Sequence, residues 1–551
     1  MATARVFIPL LLLVLVPGVS PFCRTGTAQE CRRSVAFVPG HSLVREGIDV
    51  TTLGWTGNYL VDTSLWRGPN GTCTLCRNPL QGGQLQRAPL AVTDWKVNIL
   101  CNRELSTSVQ ESAVAVARAM ASDVNNDWKV ELELPGESMG RALEGTRSEL
   151  SGFAYEKEQQ DKFMFVLHEL PCGYYRMRVP PNPPLTPLFA QALSDLLPTY
   201  DPSTYRPFLA TYGTHYVSQA VLGGRVRQLT AIPTCRAALD GLTDAEIKER
   251  LSSQFLQDLG LSQLPSGSHA QEPSSQSSWS SQAAYTDHRT EVTGGHGHAN
   301  LLYSTKQDPR ALSAWLESLK ASPGLISFSL SPIHTLVRPG DPRREALRQA
   351  VKEYVAERGQ RRCPRRCPQG GYADPLEPCK CRCSGNPFTN SMCCSLQRGL
   401  ARLKVHMMSG KDLWGDPLSP SDPYVKVIFQ GQKLQTRYIK DNNNPQWFED
   451  LDFGVVTLPV KPELEVEVRD SDPWPWVDSH LGTCHAHLKA SRNVTQSCVV
   501  SPGLVTYSYS LECGPNLGGD TCQEYVPPNS CLFFPSGRMR VPPNPPLTPL
   551  F

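Results

Sequence analysis

Seven of the chain's nineteen cysteines fall between Cys363 and Cys394. The spacing Cys363-x3-Cys367-x11-Cys379-x-Cys381-x-Cys383-x9-Cys393-Cys394 leaves no room for an apolar core. Bridges must therefore hold this stretch together, and bridges need an oxidising compartment. The start of the chain supplies the route. Arg5, the apolar run Val6–Val16 and the small residues Gly18 and Ser20 make 1–20 read as a secretory signal peptide, with the mature chain starting near Pro21. Zinc is the alternative ligand for such a cluster, and export favours disulfides. The other cysteines lie at 23, 31, 73, 76, 101, 172, 235, 484, 498, 513, 522 and 531, and sequence alone leaves their connectivity open. If six of the central seven pair among themselves, Cys394 is left to meet the solitary Cys235. Cys531, in an unusual tail, is then the odd one.

A length of 551 residues allows about three or four domains. The net charge of +2 is spread without a long block of one sign, which argues against nucleic acid and against bulk electrostatic attraction to a membrane. Beyond the leader, no segment approaches the roughly 20 apolar residues of a membrane-spanning helix, so a protein made in soluble form is expected. Asn70-Gly71-Thr72 and Asn493-Val494-Thr495 are glycosylation sequons. Trp128–Leu134 and the region around Phe163–Leu167 alternate as half-exposed strands do. Asp341-Pro342 opens a helix whose Leu347, Val351 and Tyr354 form an apolar stripe, with the Asp capping and the Pro presetting the first turn. Two long segments, about 104–167 and 237–293, are rich in Ser, Ala, Gln and Glu and too weakly apolar for a static core.

Tyr212-Gly213-Thr214-His215-Tyr216 is followed, six residues on, by Gly223-Gly224. The plain reading is a strand (Val217, Ala220, Val221, Leu222) ending in a glycine bend. That accounts for the alternation but not for the whole thirteen-residue pattern, which resembles the signature of the membrane attack complex/perforin family of pore formers. The resemblance implies no catalytic duty for His215. It implies that two helical clusters per subunit unfurl into two amphipathic β-hairpins, and the two polar segments suit this role. A spanning strand needs only about 9–11 residues, and alternation hides it from hydropathy. Surface excursions are the simpler alternative. Gly223-Gly224 and a second pair, Gly294-Gly295, are candidate hinges. His296 and His298 lack a third metal ligand nearby and read as a solvated loop.

Asp416 and Asp422 flank a Pro-rich loop before the strand Tyr424–Phe429. Asp470, Asp472 and Asp478 follow the strand Leu464–Val468. With Ser421–Val427 and Asn444-Pro445-Gln446-Trp447, this arrangement resembles a calcium-binding C2 domain of the synaptotagmin type. Calcium takes six to eight oxygen ligands, which five aspartates on adjacent loops suit. Carbonyls of Gly415, Ser419 and Pro420 are further candidates. Trp414, Trp474 and Trp476 beside the same loops suit a lipid interface, and crowding of the carboxylates is expected to raise their pKa values. The central cysteine cluster resembles an epidermal-growth-factor-like module, read as structural glue.

The expected fold is therefore α+β and multidomain. A pore-forming domain over 21–361, a bent antiparallel sheet with flanking helical clusters, precedes a disulfide-rich module at 362–395. An all-β C2 sandwich at 396–512 and a tail at 513–551 follow. The pairs carried over with the resemblance are Cys23–Cys76, Cys31–Cys73, Cys101–Cys172, Cys235–Cys394, Cys363–Cys379, Cys367–Cys381, Cys383–Cys393, Cys484–Cys498 and Cys513–Cys522. The resemblance also implies calcium as cofactor, target-cell phospholipid as partner and a homo-oligomeric ring. Storage in cytotoxic lymphocyte granules and passage of granule proteases as cargo belong to the same implication. An enzyme is not expected, since HExxH is absent from the sequence and no paired catalytic signature stands out. A non-lytic adhesion or signalling protein on the same fold is the rival. Residues 538–551 repeat 176–189 letter for letter, which no folding principle demands.

Overall fold

The computed structural model describes residues 22–33, 35–101, 104–125, 148–259, 285, 287–295, 309–358, 367, 371–375, 381–415, 419–472 and 477–527. The leader 1–20, the strand expected at Trp128–Leu134, His296 and His298, Asp416, Trp474, Trp476, Cys363, Cys379, Cys531 and the repeat at 538–551 lie outside them. The chain divides into two compact units, one of 1–154, 165–231 and 247–362, the other of 155–164, 232–246 and 363–551.

In the first unit the described residues form a nine-stranded sheet. Its edge is β1 (Glu46–Asp49) and β2 (Gly54–Tyr59), and β3 (Thr93–Leu100) and β4 (Ser106–Gln110) follow. Helix α1 (Ala113–Ala121) starts where the Ser112 hydroxyl accepts from Ala115 N–H, an N-cap. After the short β5 (Val124–Asn125) come α2 (Glu149–Gln160) and the long β6 (Phe163–Arg178). Then follow α3 (Pro202–Tyr212), β7 (His215–Pro233), α4 (Thr234–Leu239), which falls in the second unit, and α5 (Asp244–Asp258). The last elements of the region are β8 (His288–Thr293), α6 (Pro309–Ser318), β9 (Gly324–Pro332) and α7 (Pro342–Arg358).

Strand β7 organises this sheet. The hydrogen-bonded order is β2-β1-β7-β9-β5, with β6 and β8 also pairing β7 and with β3 and β4 pairing β6. From His215 to Gly223 it pairs antiparallel with β9, and from Arg225 to Thr230 with β8. The change of partner falls at Gly223-Gly224. The strand does not end there, as the plain reading had it, but runs on to Pro233. Strand β6 also departs from expectation, because Met164, Phe165, Val166 and Leu167 are all buried rather than alternately exposed. One cover is visible in α5, whose Phe255 stacks on His168. In α7, Leu347, Val351 and Tyr354 are buried as the stripe predicts, and Asp341 Oδ1 accepts from Arg343 N–H in the first turn.

In the second unit, short strands β10 (Gly371–Ala373) and β11 (Cys381–Cys383) pair within the cysteine cluster. The rest is a sandwich. One sheet has the order β15-β12-β19-β18, the other β14-β13-β16-β17. These strands are β12 (Leu400–Lys411), β13 (Pro423–Phe429), β14 (Gln432–Gln435) and β15 (Gln446–Thr457). They continue as β16 (Glu463–Asp470), β17 (Ser479–His487), β18 (Ser491–Val499) and β19 (Leu504–Cys513). Clean alternation in β16 buries Leu464, Val466 and Val468 against the facing sheet, as period-2 patterning requires. The sequence places the start of a tail at 513. Cys513 pairs with Ala401 in the ladder, and Leu517 and Cys522 lie in the sandwich core.

Disulfides join Cys23–Cys76, Cys31–Cys73, Cys101–Cys172, Cys235–Cys394, Cys367–Cys381, Cys383–Cys393, Cys484–Cys498 and Cys513–Cys522. Asn70 and Asn493 are both exposed.

Candidate functional sites: the carboxylate loops and the glycine junction

The carboxylates gather at one end of the sandwich because two strands deliver them there. Pro423, which opens β13, pairs with Asp470, which closes β16, so Asp422 and Asp470 meet by register. Asp422 N–H donates to Asp470 Oδ1 at 2.6 Å, and Ser471 N–H to the Asp422 carbonyl at 3.0 Å. Asp441 N–H donates to Asp422 Oδ1 at 2.6 Å. The second pair is linked the same way. Asp472 N–H reaches Asp478 Oδ1 at 3.2 Å, and Ser479 donates from backbone and hydroxyl to Asp472 Oδ2. Tyr424 gives its phenolic proton to Asp478 Oδ2 at 2.6 Å. Burial pushes that phenol up to about 12, and the bond to Asp478 and its charge add to the shift. The tyrosine is a fixed donor.

Gly415 is required by space. A Cβ there would sit 1.9 Å from Asp470 Oδ2, and its N–H donates to Ser421 Oγ at 2.6 Å. The loop is thereby pressed onto the carboxylate. Burial, first, and then the charges of Asp472 and Asp422 push the Asp470 carboxyl up. Repulsion, expected from the sequence as the main cause, ranks behind desolvation here. Trp414 is half exposed beside this loop, and Ser419 and Pro420 are exposed.

Among the described residues no three His, Cys, Asp or Glu side chains converge on one ion position as they stand. The donors nevertheless fit calcium in kind. Asp422, Asp470, Asp472 and Asp478 offer hard oxygens only, on adjacent loops, and backbone N–H groups now occupy several of those oxygens.

In the first unit the signature occupies the junction between α3 and β7. Tyr212 ends the helix, and Gly213 turns the chain with φ of 81°. Thr214 is fully buried, and its hydroxyl accepts from Val50 N–H at 3.0 Å and donates to the Ile48 carbonyl at 3.2 Å. His215 Nδ1 lies 2.8 Å from the same hydroxyl. Burial holds this imidazole down at about 3, with neighbouring His334 adding to the effect. Tyr216 is buried and meets Thr335 through its hydroxyl. These groups fasten β7 to β1 and α3, away from bulk water, where a reactive histidine has no access to substrate.

Glycine is needed at the partner change for two different reasons. A Cβ on Gly223 would stand 2.0 Å from the Cys172 carbonyl, and one on Gly224 would strike Leu319 and Trp315. Gly294 and Gly295 instead adopt φ of +82° and +74°, which disfavours a side chain outright. Trp315 Nε1 donates to the Gly294 carbonyl at 3.1 Å, fixing the turn.

Comparison with known proteins follows these lines. The MAC/Perforin domain model matches residues 40–364, well over half of the chain. The chain belongs to the MAC/Perforin family. A Perforin-1-like EGF domain model matches residues 362–396, and a C2 domain model matches 401–500. Perforin-1 of Homo sapiens is 39% identical over 541 residues, 96% of this chain and 97% of the relative. Perforin-1 of Rattus norvegicus is 37% identical over 95% of this chain and 97% of its own length. Perforin-1 of Mus musculus is 36% identical over 96% and 97%. A MAC/Perforin domain joined to a C2 domain marks a membrane-binding pore former, and no enzymatic family is indicated over this span. The sequence reading missed Tyr424 as a partner of Asp478. Its place in Asp422-Pro423-Tyr424, two residues beyond a candidate ligand on the same strand, was the available signal.

Proposed function

We propose that the chain is a calcium-dependent cytolysin whose C2 domain docks on target-cell phospholipid. Subunits then assemble into a ring, and segments near 104–167 and 237–293 refold into transmembrane β-hairpins. The observation that carries the docking step is the gathering of Asp422, Asp470, Asp472 and Asp478 at one sandwich end beside half-exposed Trp414. Bound among these carboxylates and Asp416, calcium would cancel their charge and bridge to lipid phosphate oxygens. The chain's own part is positional. Gly415 lets the first loop close on Asp470, and Tyr424 orients Asp478, while Trp414 presents an amphipathic ring to the interface. Carbonyls of Gly415, Ser419 and Pro420 would complete the shell.

Refolding is supported by what the two segments contain. Their described residues include α1, α2 and α5, helices with polar or small faces that a water-filled lumen tolerates. Gly223-Gly224 and Gly294-Gly295 stand where β7 changes partner, the natural place for the sheet to open. The same reading places the protein in the secretory route and the granules of cytotoxic lymphocytes, releasing granule proteases into the target through the pore.

Liposomes loaded with dye test the reading. Release with calcium, none in chelator, and rings visible by electron microscopy are the expected results. Calcium-dependent binding with neither release nor rings would instead establish a non-lytic binder on this fold.

A further inference from the structure

A buried charge cluster lies where the first polar segment meets the sheet. Asp123 lies just beyond Ser122, the C-cap of α1. Its Oδ1 accepts from Arg225 Nη1 at 2.5 Å, and its Oδ2 pairs with Arg227 Nη2 at 2.8 Å. Arg227 Nε is also bonded to Glu169 of β6. The side chains of Arg227, Arg225, Asp123 and Glu169 are 6%, 11%, 16% and 25% exposed. The backbone adds to the attachment. The Asp123 carbonyl accepts from Phe328 N–H at 3.0 Å and from the Ser327 hydroxyl at 3.2 Å, both on β9.

We propose that Asp123 is a positioning residue for pore formation: it clasps the first segment to the sheet through Arg225 and Arg227, and its release sets when that segment leaves. This rests on the reading of 104–167 as a refolding segment. Arg225 and Arg227 stand two apart on β7, so they share one face, just past the glycine pair where β7 takes β8 as its partner. Of the four charged groups only Asp123 belongs to the segment. Without it, Arg227 still pairs with Glu169 and stands opposite Glu291 across the β7–β8 ladder, while Arg225 stands opposite Thr293. Arg227 keeps a carboxylate, so the loss falls on Arg225, which borders the cavity, and on the clasp.

The chemistry suits a joint that must open. A buried ion pair adds little to a static fold compared with well-packed apolar side chains, yet breaking it by removing one partner is severe. Once parted, these charges rehydrate, whereas an apolar clasp would leave greasy surface facing a water-filled lumen. The cluster already borders a cavity of about 730 Å³ shared with Trp55, Met120 and Phe328.

The test compares the full-length chain with Asp123→Asn and Asp123→Glu. Three readouts apply: hydrogen exchange at 113–125 in calcium-free solution, binding to phosphatidylcholine vesicles with calcium, and the rate of dye release. For Asp123→Asn, exchange at 113–125 should rise about tenfold or more, with β6 and β7 protection and vesicle binding unchanged and release faster. Asp123→Glu, which keeps the charge, should stay near wild type. Unchanged exchange at 113–125, a rise spread over the whole unit, failure of Asp123→Asn to fold, or unaltered release despite local opening would each overturn the clasp. If wild type releases no dye, the pore reading fails, and exchange still decides whether the clasp exists.

Discussion

Thr214 ties the start of β7 to the Ile48–Val50 stretch, far away in sequence. Its hydroxyl serves Val50 N–H and the Ile48 carbonyl at once, and its own N–H donates to Ile48. Thr214→Val keeps the shape and strands those partners away from water, so a loss of about 1–3 kcal/mol is expected for the first unit. Thr214→Ser should lose far less. Urea melts of the two variants decide it, and equal midpoints would remove the hydroxyl from the account. The histidines make a pH argument at the same scale. Burial, the leading cause in each, holds His168 at about 4, His215 at about 3 and His334 at about 4. An unfolded histidine titrates near 6.5. Below that pH the unfolded chain takes up protons that the folded one refuses, so the stability is complete above about 6.5 and drains away toward 4. Each group can contribute a slope of up to about 1.4 kcal/mol per pH unit in that window. Melting temperature should therefore fall steadily from pH 7 to pH 5, and a flat profile would contradict the buried neutral state.

At the scale of elements, local patterns were readable and their partners were not. The alternation in Leu464–Val468, the Asp341-Pro342 helix start and the strand after Asp422 all follow from neighbours within a few residues. Thr243 and Glu246 carry a capping-box spacing that opens α5, with each side chain accepting the other's N–H at 3.3 and 3.0 Å. That signal was present in the sequence and not used. What β6 lacks in exposure could not be read, because burial of Val166 and Leu167 depends on elements distant in the chain. The Asp123 clasp hides for the same reason, since its arginines lie 102 and more residues away. Helix α5 offers a direct test of whether the two segments must part from each other. Thr107 of β4 and Ser252 of α5 place their hydroxyl oxygens 3.3 Å apart, close enough for a disulfide between cysteines at those positions. Oxidised T107C/S252C should bind vesicles normally and release no dye, with release restored by reductant. Full release from the oxidised form would show that these two elements need not part.

For the whole molecule the signature names the family, while the timing and penetration proposed above rest on other residues. The thirteen-residue pattern locks a sheet junction that any member could share, and its histidine is sealed from solvent. The proposed docking site sits in the second unit and the proposed refolding segments largely in the first, so the two steps should separate under mutation. Asp470→Asn removes charge from the most enclosed of the described loop carboxylates, the one against which Gly415 packs. The backbone bond from Asp422 can still find an oxygen there, so the sandwich should keep its melting temperature in calcium-free buffer. Calcium demand for vesicle binding should rise at least about tenfold, because one of few anionic donors is lost. Trp414→Ala should weaken binding at saturating calcium instead, leaving the calcium midpoint nearly fixed. Titrating vesicle co-sedimentation against calcium for both variants separates the two effects. If both variants shift the midpoint alike, the carboxylates and the indole do not hold the distinct roles assigned to them, and the docking site would have to be sought on another face of the sandwich.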